Sequence, residues 1–470
     1  MKLRTMKKVI ALVTMVIMLA ASVSALAASD SQRLDTYYSL AVQYINREDY
    51  AKAMEYLDSA LQYCDEESAK DLYADIHLKK GCVYTLQQDY ENAQKELDEA
   101  LRVAPELSDV FLVRAQIGSE TGDYSAAAEN MEKYIELTGA VENYETLSGL
   151  YNQAGNSEKA QEAYSKFLEE THVEGAKSTF SMAVFKMESG KFDEAIADFA
   201  TILNDAEYGV SATYNTAVCY LQSGDYENAL ANFTKCTDQA DQFDGLYYNI
   251  GVCNMQLSKF PEAIEAFTTS IEKESFKTDA LYNRAICSFS TTNAEDIAED
   301  KKAEALKSAV EDFTAYLAAA TEAAKAAAEE GAEVADVVDA ANYYRAACNV
   351  ALGEYVKAIE DYTACIEKDV YTDECLYNRA LIYLQNAQVA EAKEDLTACI
   401  EKDIHADEAM YYRALVNDAL EDYQAAIDDL TVLIGKEYNL GETYYQRAQV
   451  YLKMDDQDHY VEDLEASLNY

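Results

Sequence analysis

The sequence predicts an all-α chain of stacked helical hairpins, and three observations predict it. The 470 residues contain only 2 prolines and 16 glycines, and half of them are apolar. Helix-breaking punctuation is scarce, and there is enough apolar surface for a long core. Small residues recur at Ala41, Gly81, Ala115, Ser148, Ala183, Ala217, Gly251, Ala285, Ala346, Ala380, Ala414 and Ala448, 34 residues apart at seven of the eleven gaps. Twelve residues after nearly every one comes a second alanine, as at Ala53, Ala93, Ala127, Ala195, Ala263, Ala358 and Ala426.

The first element is of another kind. Lys2, Arg4, Lys7 and Lys8 open it, an apolar run follows from Val9 to about Ala21, and Ala25-Leu26-Ala27 supplies the small residues of a cleavage site. Residues 1–27 therefore read as a signal peptide cut before Ala28. The run is short for a membrane helix, and an uncleaved N-terminal anchor is the alternative. No later stretch is long and apolar enough to span a membrane. The expectation is an exported chain: secreted, periplasmic or associated with the cell envelope.

From about residue 34 onward each unit has the same parts. A first helix carries the small residue, and a short polar turn such as Gly122-Asp123-Tyr124 or Gly224-Asp225-Tyr226 follows. A second helix carries the alanine, with an aromatic residue or leucine four positions on, as at Phe199, Phe233, Phe267, Tyr362 and Leu396. Alanines on both helices mark where two antiparallel helices approach most closely. This unit resembles the tetratricopeptide repeat, and about twelve copies cover residues 34–470. It departs from that pattern in having no tryptophan and in keeping a closing proline only at Pro105. The resemblance implies a right-handed superhelical solenoid whose first helices line a concave groove, and a non-enzymatic protein–protein interaction scaffold.

One feature runs against a buried helix: an arginine stands directly before the small residue at Arg284, Arg345, Arg379, Arg413 and Arg447. Sixteen residues after the last four lie Asp361, Asp395, Asp429 and Asp463, which the hairpin brings opposite them. A half-buried guanidinium needs a carboxylate, so these pairs read as structural salt bridges rather than as an anion-binding row. For Arg284 the matching residue is Asp312, 28 positions on, which places a 12-residue insertion at about Thr291 to Leu306. The alanine-rich stretch at 317–338 then extends the second helix of that unit to about Gly331. The organisation that follows is 28–290 for repeats one to seven and the first helix of repeat eight. Residues 291–338 hold the insertion and the extended helix, and 339–470 hold repeats nine to twelve. Segments 360–369 and 394–403 differ at one position, an internal duplication.

Chemistry is hard to find. The 86 acidic against 38 basic residues give −48, which repels nucleic acid phosphates and anionic lipid. His77, His172, His405 and His459 have no ligand spacing for a metal, there is no phosphate-cradling glycine loop, and no cofactor or catalytic residue is assigned. Cys219, Cys253, Cys287 and Cys348 share one slot of the first helix, and Cys236, Cys365 and Cys399 one slot of the second. Cysteine at the repeat period reads as a small buried apolar residue, with a Cys236–Cys253 disulfide as the alternative.

The groove expectation rests on one stripe of each first helix, at i, i+4 and i+7. Repeats five to eight give Phe180/Val184/Met187, Tyr214/Val218/Leu221, Tyr248/Val252/Met255 and Tyr282/Ile286/Phe289, and repeat ten gives Tyr377/Leu381/Leu384. Repeat four is polar there, with Glu145, Gly149 and Asn152. The stripe is either an apolar, tyrosine-edged groove for a partner or packing between adjacent first helices. Acidic residues at first-helix starts, including Asp279, Glu374, Glu408 and Glu442, rim that groove or complement the helix dipole. The partner expected is a protein or peptide segment with apolar anchors and basic flanks. Val461, Leu464 and Leu468 on the last helix add self-association through the C-terminal repeat. The alternative function is a structural or cation-binding acidic envelope spacer with no groove ligand.

Overall fold

The computed structural model describes residues 30–293, 297–329 and 338–470. Residues 1–27, expected to be a signal peptide, and Gly331, where the long helix was expected to end, lie outside the described residues. Those residues form twelve consecutive helix–turn–helix pairs, with no strand among them. The chain divides into two compact units, one ending at Cys219 and the other beginning at Tyr220. The division falls inside the helix Gly209–Ser223, and the 291–338 landmark lies within the second unit.

In the first unit the hairpins pair Asp30–Asn46 with Tyr50–Leu61, Lys70–Leu86 with Tyr90–Val103, Ser108–Thr121 with Tyr124–Thr138, Tyr144–Gln153 with Ser157–Glu170, and Gly175–Glu188 with Phe192–Thr201. In the second they pair Leu246–Gln256 with Phe260–Glu272, Lys277–Thr291 with Glu299–Glu329, Val338–Ala351 with Tyr355–Glu367, Thr372–Gln385 with Val389–Glu401, Ala406–Ala419 with Tyr423–Gly435, and Leu440–Lys453 with Gln457–Ser467. The second helix of repeat eight runs 31 residues from Glu299, so the last part of the insertion is helical rather than loop.

Local chemistry starts and stops these helices. Asp49, Asp89, Asp123 and Asp225 each accept the backbone N–H three residues on, capping the second helix of their hairpin. Such a cap contributes about 1 kcal/mol. The turn residue just before the cap has positive φ: Gly122 at 81°, but Glu48 at 60° and Gln88 at 61° elsewhere. The turn geometry is thus conserved along the chain even where glycine is not used.

The small residues do what their period suggests. Ala183, Ala217, Ala285, Ala346 and Ala380 on first helices, and Ala195, Ala263, Ala358 and Ala392 on second helices, are fully buried. Phe199, Phe233, Phe267 and Phe313 are fully buried beside them. A Cβ at Gly251 would lie 2.5 Å from Cε1 of Phe267, so the glycine is the counterpart of the ring. The same core continues into the next repeat, where Phe267 shares a cluster with Ala280 and Cys287.

All ten cysteines are thiols. Burial pushes Cys253, Cys287 and Cys348 up to about 12, which leaves them poor nucleophiles and fits a packing role.

Candidate functional site

The stripe residues lie between the two expectations held for them. All fifteen are half-buried: Phe180, Val184, Met187, Tyr214 and Val218 in the first unit, and Leu221, Tyr248, Val252, Met255, Tyr282, Ile286, Phe289, Tyr377, Leu381 and Leu384 in the second. Three of the triplets lie in full against buried cores. Tyr248, Val252 and Met255 lie on the cluster built around Ala263 and Phe267, and Phe180, Val184 and Met187 on that of Ala195 and Phe199. The outer edge remains solvent-accessible, so the stripe is a shallow apolar surface and not a closed seam.

The first slot of the stripe has a partner that sequence reasoning missed. In three stripes a ring 28 residues further on meets it: Tyr208 lies tilted against Phe180 at 5.3 Å, while Phe276 stacks on Tyr248 at 5.2 Å and His405 on Tyr377 at 4.5 Å between centroids. Phe276 and His405 immediately precede the next first helix and adopt φ of 49° and 43°, an unusual backbone for such side chains. The sequence signal was a ring just ahead of successive first helices. Tyr248 also accepts a hydrogen bond on its hydroxyl from Asn283 Nδ2 at 3.1 Å.

Carboxylates accompany these tyrosines. Tyr411 donates to Glu442 Oε1 at 3.0 Å, and Tyr38 donates to Asp75. Burial, then the neighbouring Glu408, pushes Tyr377 up to about 12, and burial followed by Asp279 raises Tyr248. These two phenols therefore stay protonated at any ordinary pH. In both hydrogen-bonded pairs an acid on a first helix reaches the tyrosine of the preceding repeat.

The arginines are found with their carboxylates, in two-pronged geometry. Arg379 reaches Asp395 through Nε and Nη2 at 2.8 Å each, and Arg284 reaches Asp312 at 2.7 and 2.6 Å. Arg345 holds Asp361 at 2.9 and 2.6 Å, Arg413 holds Asp429 at 3.0 and 2.7 Å, and Arg447 holds Asp463 at 2.7 and 2.8 Å. Each arginine also has a third contact that was not anticipated. Its Nη1 donates to a threonine on the second helix of the preceding repeat: Thr268, Thr314, Thr363, Thr397 and Thr431, at 2.7 to 3.3 Å. The guanidinium therefore ties three helices together. Four of these threonines stand sixteen residues before their arginine, a signal that was present and unread.

A lysine plays the same part in repeat two. Lys80, directly before Gly81, meets Glu96 at 2.7 Å and Asp58 at 3.0 Å. Burial alone would raise the Glu96 carboxyl, but hydrogen bonds from His77 and Lys80 hold it below the usual carboxylate range. At the last hairpin, Val461 and Leu468 are exposed while Leu464 is half-buried. Among the described residues no cluster of three or more His, Cys, Asp or Glu side chains fits a metal ion.

A tetratricopeptide-repeat family model matches residues 180–241 and 377–440, and a second tetratricopeptide-repeat model matches 74–107. Over those segments the chain carries tetratricopeptide repeats. Among solved structures, one described as Naa15/Naa10 bound to HypK-THB is similar at 14% identity and a TM-score of 0.38, covering 93% of this chain and 63% of that one. The chain thus spans less than two thirds of that structure's length. A tetratricopeptide repeat protein from Parabacteroides merdae is similar at 18% identity and a TM-score of 0.33, covering 55% of this chain and 99% of that one. The pilF protein of Pseudomonas aeruginosa is similar at 16% identity and a TM-score of 0.29, covering 45% of this chain and 93% of that one. No curated protein matches the sequence.

Proposed function

We propose that this chain is an exported, non-enzymatic scaffold that holds a peptide or protein segment on the exposed edge of its first-helix stripes. Tetratricopeptide repeats generally mediate protein–protein interaction, and the finer reading rests on this chain's own residues. The observation that carries it is the half-buried state of every stripe residue. A side chain packed on one edge and open on the other is pre-positioned, so binding a partner orders little that is not already ordered. Carboxylates at first-helix starts, such as Asp279 and Glu374, have no ion-pair partner among the described residues and favour basic flanks on the ligand. The overall charge of −48 makes the encounter fast and salt-sensitive.

The test is a capture experiment with residues 28–470 as bait, beside a Val252→Lys/Met255→Lys variant that keeps Tyr248 and its ring contacts. The scaffold reading expects a partner retained by the native bait through moderate salt and lost by the variant. An acidic spacer would bind the same cationic proteins with both baits and release them as salt rises. That result would replace the scaffold reading.

A further inference from the structure

The geometry points to a second binding site, a pocket in repeat eight for a small zwitterion of amino-acid size. The pocket, of about 530 Å³, lies between the second helix of repeat seven and both helices of repeat eight. It opens beside the insertion that connects those two helices, and its floor is the Arg284–Asp312 pair together with Thr268.

The same pair is roofed elsewhere. Four residues after each of the other arginines stands a larger polar side chain: Asn349, Tyr383, Asn417 or Tyr451. Asn417 donates to Asp429 at 3.3 Å, and the guanidinium groups of Arg379 and Arg447 lie 5.8 and 5.9 Å from the ring centres of Tyr383 and Tyr451. In repeat eight the position is Ser288, which lines the pocket, is 4% exposed, and makes no side-chain hydrogen bond among the described residues. Its hydroxyl opens onto the pocket, where a ligand atom can meet it in place of water.

The walls select the ligand class. Lys301, Glu304 and Glu311, exposed on one face of the long helix, line the rim of the pocket, and none has an ion-pair partner among the described residues. Opposite charges held in one pocket without pairing to each other leave a pure anion facing Glu304 and Glu311, and a pure cation facing Lys301. A ligand carrying both signs satisfies both walls: its carboxylate meets Lys301 and the uncommitted part of the Arg284 donor fork, and its ammonium meets Glu304 or Glu311. Ile264, Ile297 and Ala305 supply an apolar wall for a short aliphatic side chain. The volume lies in the range of small-ligand sites.

Titration calorimetry of the full chain with free leucine, N-acetyl-leucine and leucinamide tests this. The expected result is binding of leucine with a Kd of about 1 mM or tighter, weakened at least about tenfold, or 1.4 kcal/mol, by masking either charge. Ser288→Asn fills the pocket with a residue that the same position holds in repeats nine and eleven, so the fold is retained, and it should abolish the signal. Lys301→Gln should lower affinity for leucine and leave leucinamide unaffected. No heat with leucine, equal binding of the masked forms, or undiminished binding by Ser288→Asn would each overturn the proposal.

Discussion

Repeats seven and ten have the same two helices and hold them in different ways. In repeat ten, Arg379 joins its own first helix to Asp395 on the second helix and to Thr363 on the repeat before. In repeat seven the arginine and aspartate positions are Ile250 and Ala266, and the hairpin closes on Phe267, seated against Gly251. The hairpin itself therefore needs no ion pair. What the arginine adds is a directional contact that fixes three helices in one register, a role that buried ion pairs fill better than that of raising net stability.

The comparison breaks most readily at the aromatic end. Phe267→Ala removes a fully buried ring, and the loss should be about 3–5 kcal/mol of local stability. Hydrogen exchange would show it as faster opening of Leu246–Gln256, Phe260–Glu272 and Lys277–Thr291, because the ring also packs on the next repeat. Slowed or unchanged exchange in the last of these helices would show that the shared cluster carries nothing across the boundary between repeats.

Arg379→Met should cost somewhat less, about 3 kcal/mol, mainly because Asp395 remains buried with its charge unpaired. The smallest effect sharpens the comparison further. Replacing both partners, as Arg379→Met with Asp395→Leu, should return stability to within about 1 kcal/mol of the native chain. Denaturant unfolding of the three proteins checks the order. A double variant as unstable as Arg379→Met would mean that the ion pair is worth more than its apolar replacement.

Much of this was legible in the sequence because it was periodic. The alanine period located the hairpins, and the sixteen-residue spacing paired Arg379 with Asp395 before any coordinates. The 28-residue spacing from Arg284 to Asp312 located the insertion in the same way. Three things escaped. Thr363 and its equivalents look like ordinary helix residues, since a hydroxyl in a helix usually returns to its own backbone. The stacking of His405 on Tyr377 depends on a left-handed backbone that only the folded chain reveals. The pocket at Ser288 comes from a small side chain where other repeats carry Asn or Tyr, a difference whose effect shows only once the helices are placed. The half-buried state of the stripe depends on how tilted neighbours cover it, which the sequence does not carry.

The central structural claim is that the arginine ties three helices. The most direct test is hydrogen exchange of the full-length Arg379→Met chain compared with the native one. The account predicts faster exchange in Thr372–Gln385, in Val389–Glu401, and also in Tyr355–Glu367, the preceding helix that carries Thr363. Faster exchange confined to repeat ten, with Tyr355–Glu367 unchanged, would contradict it.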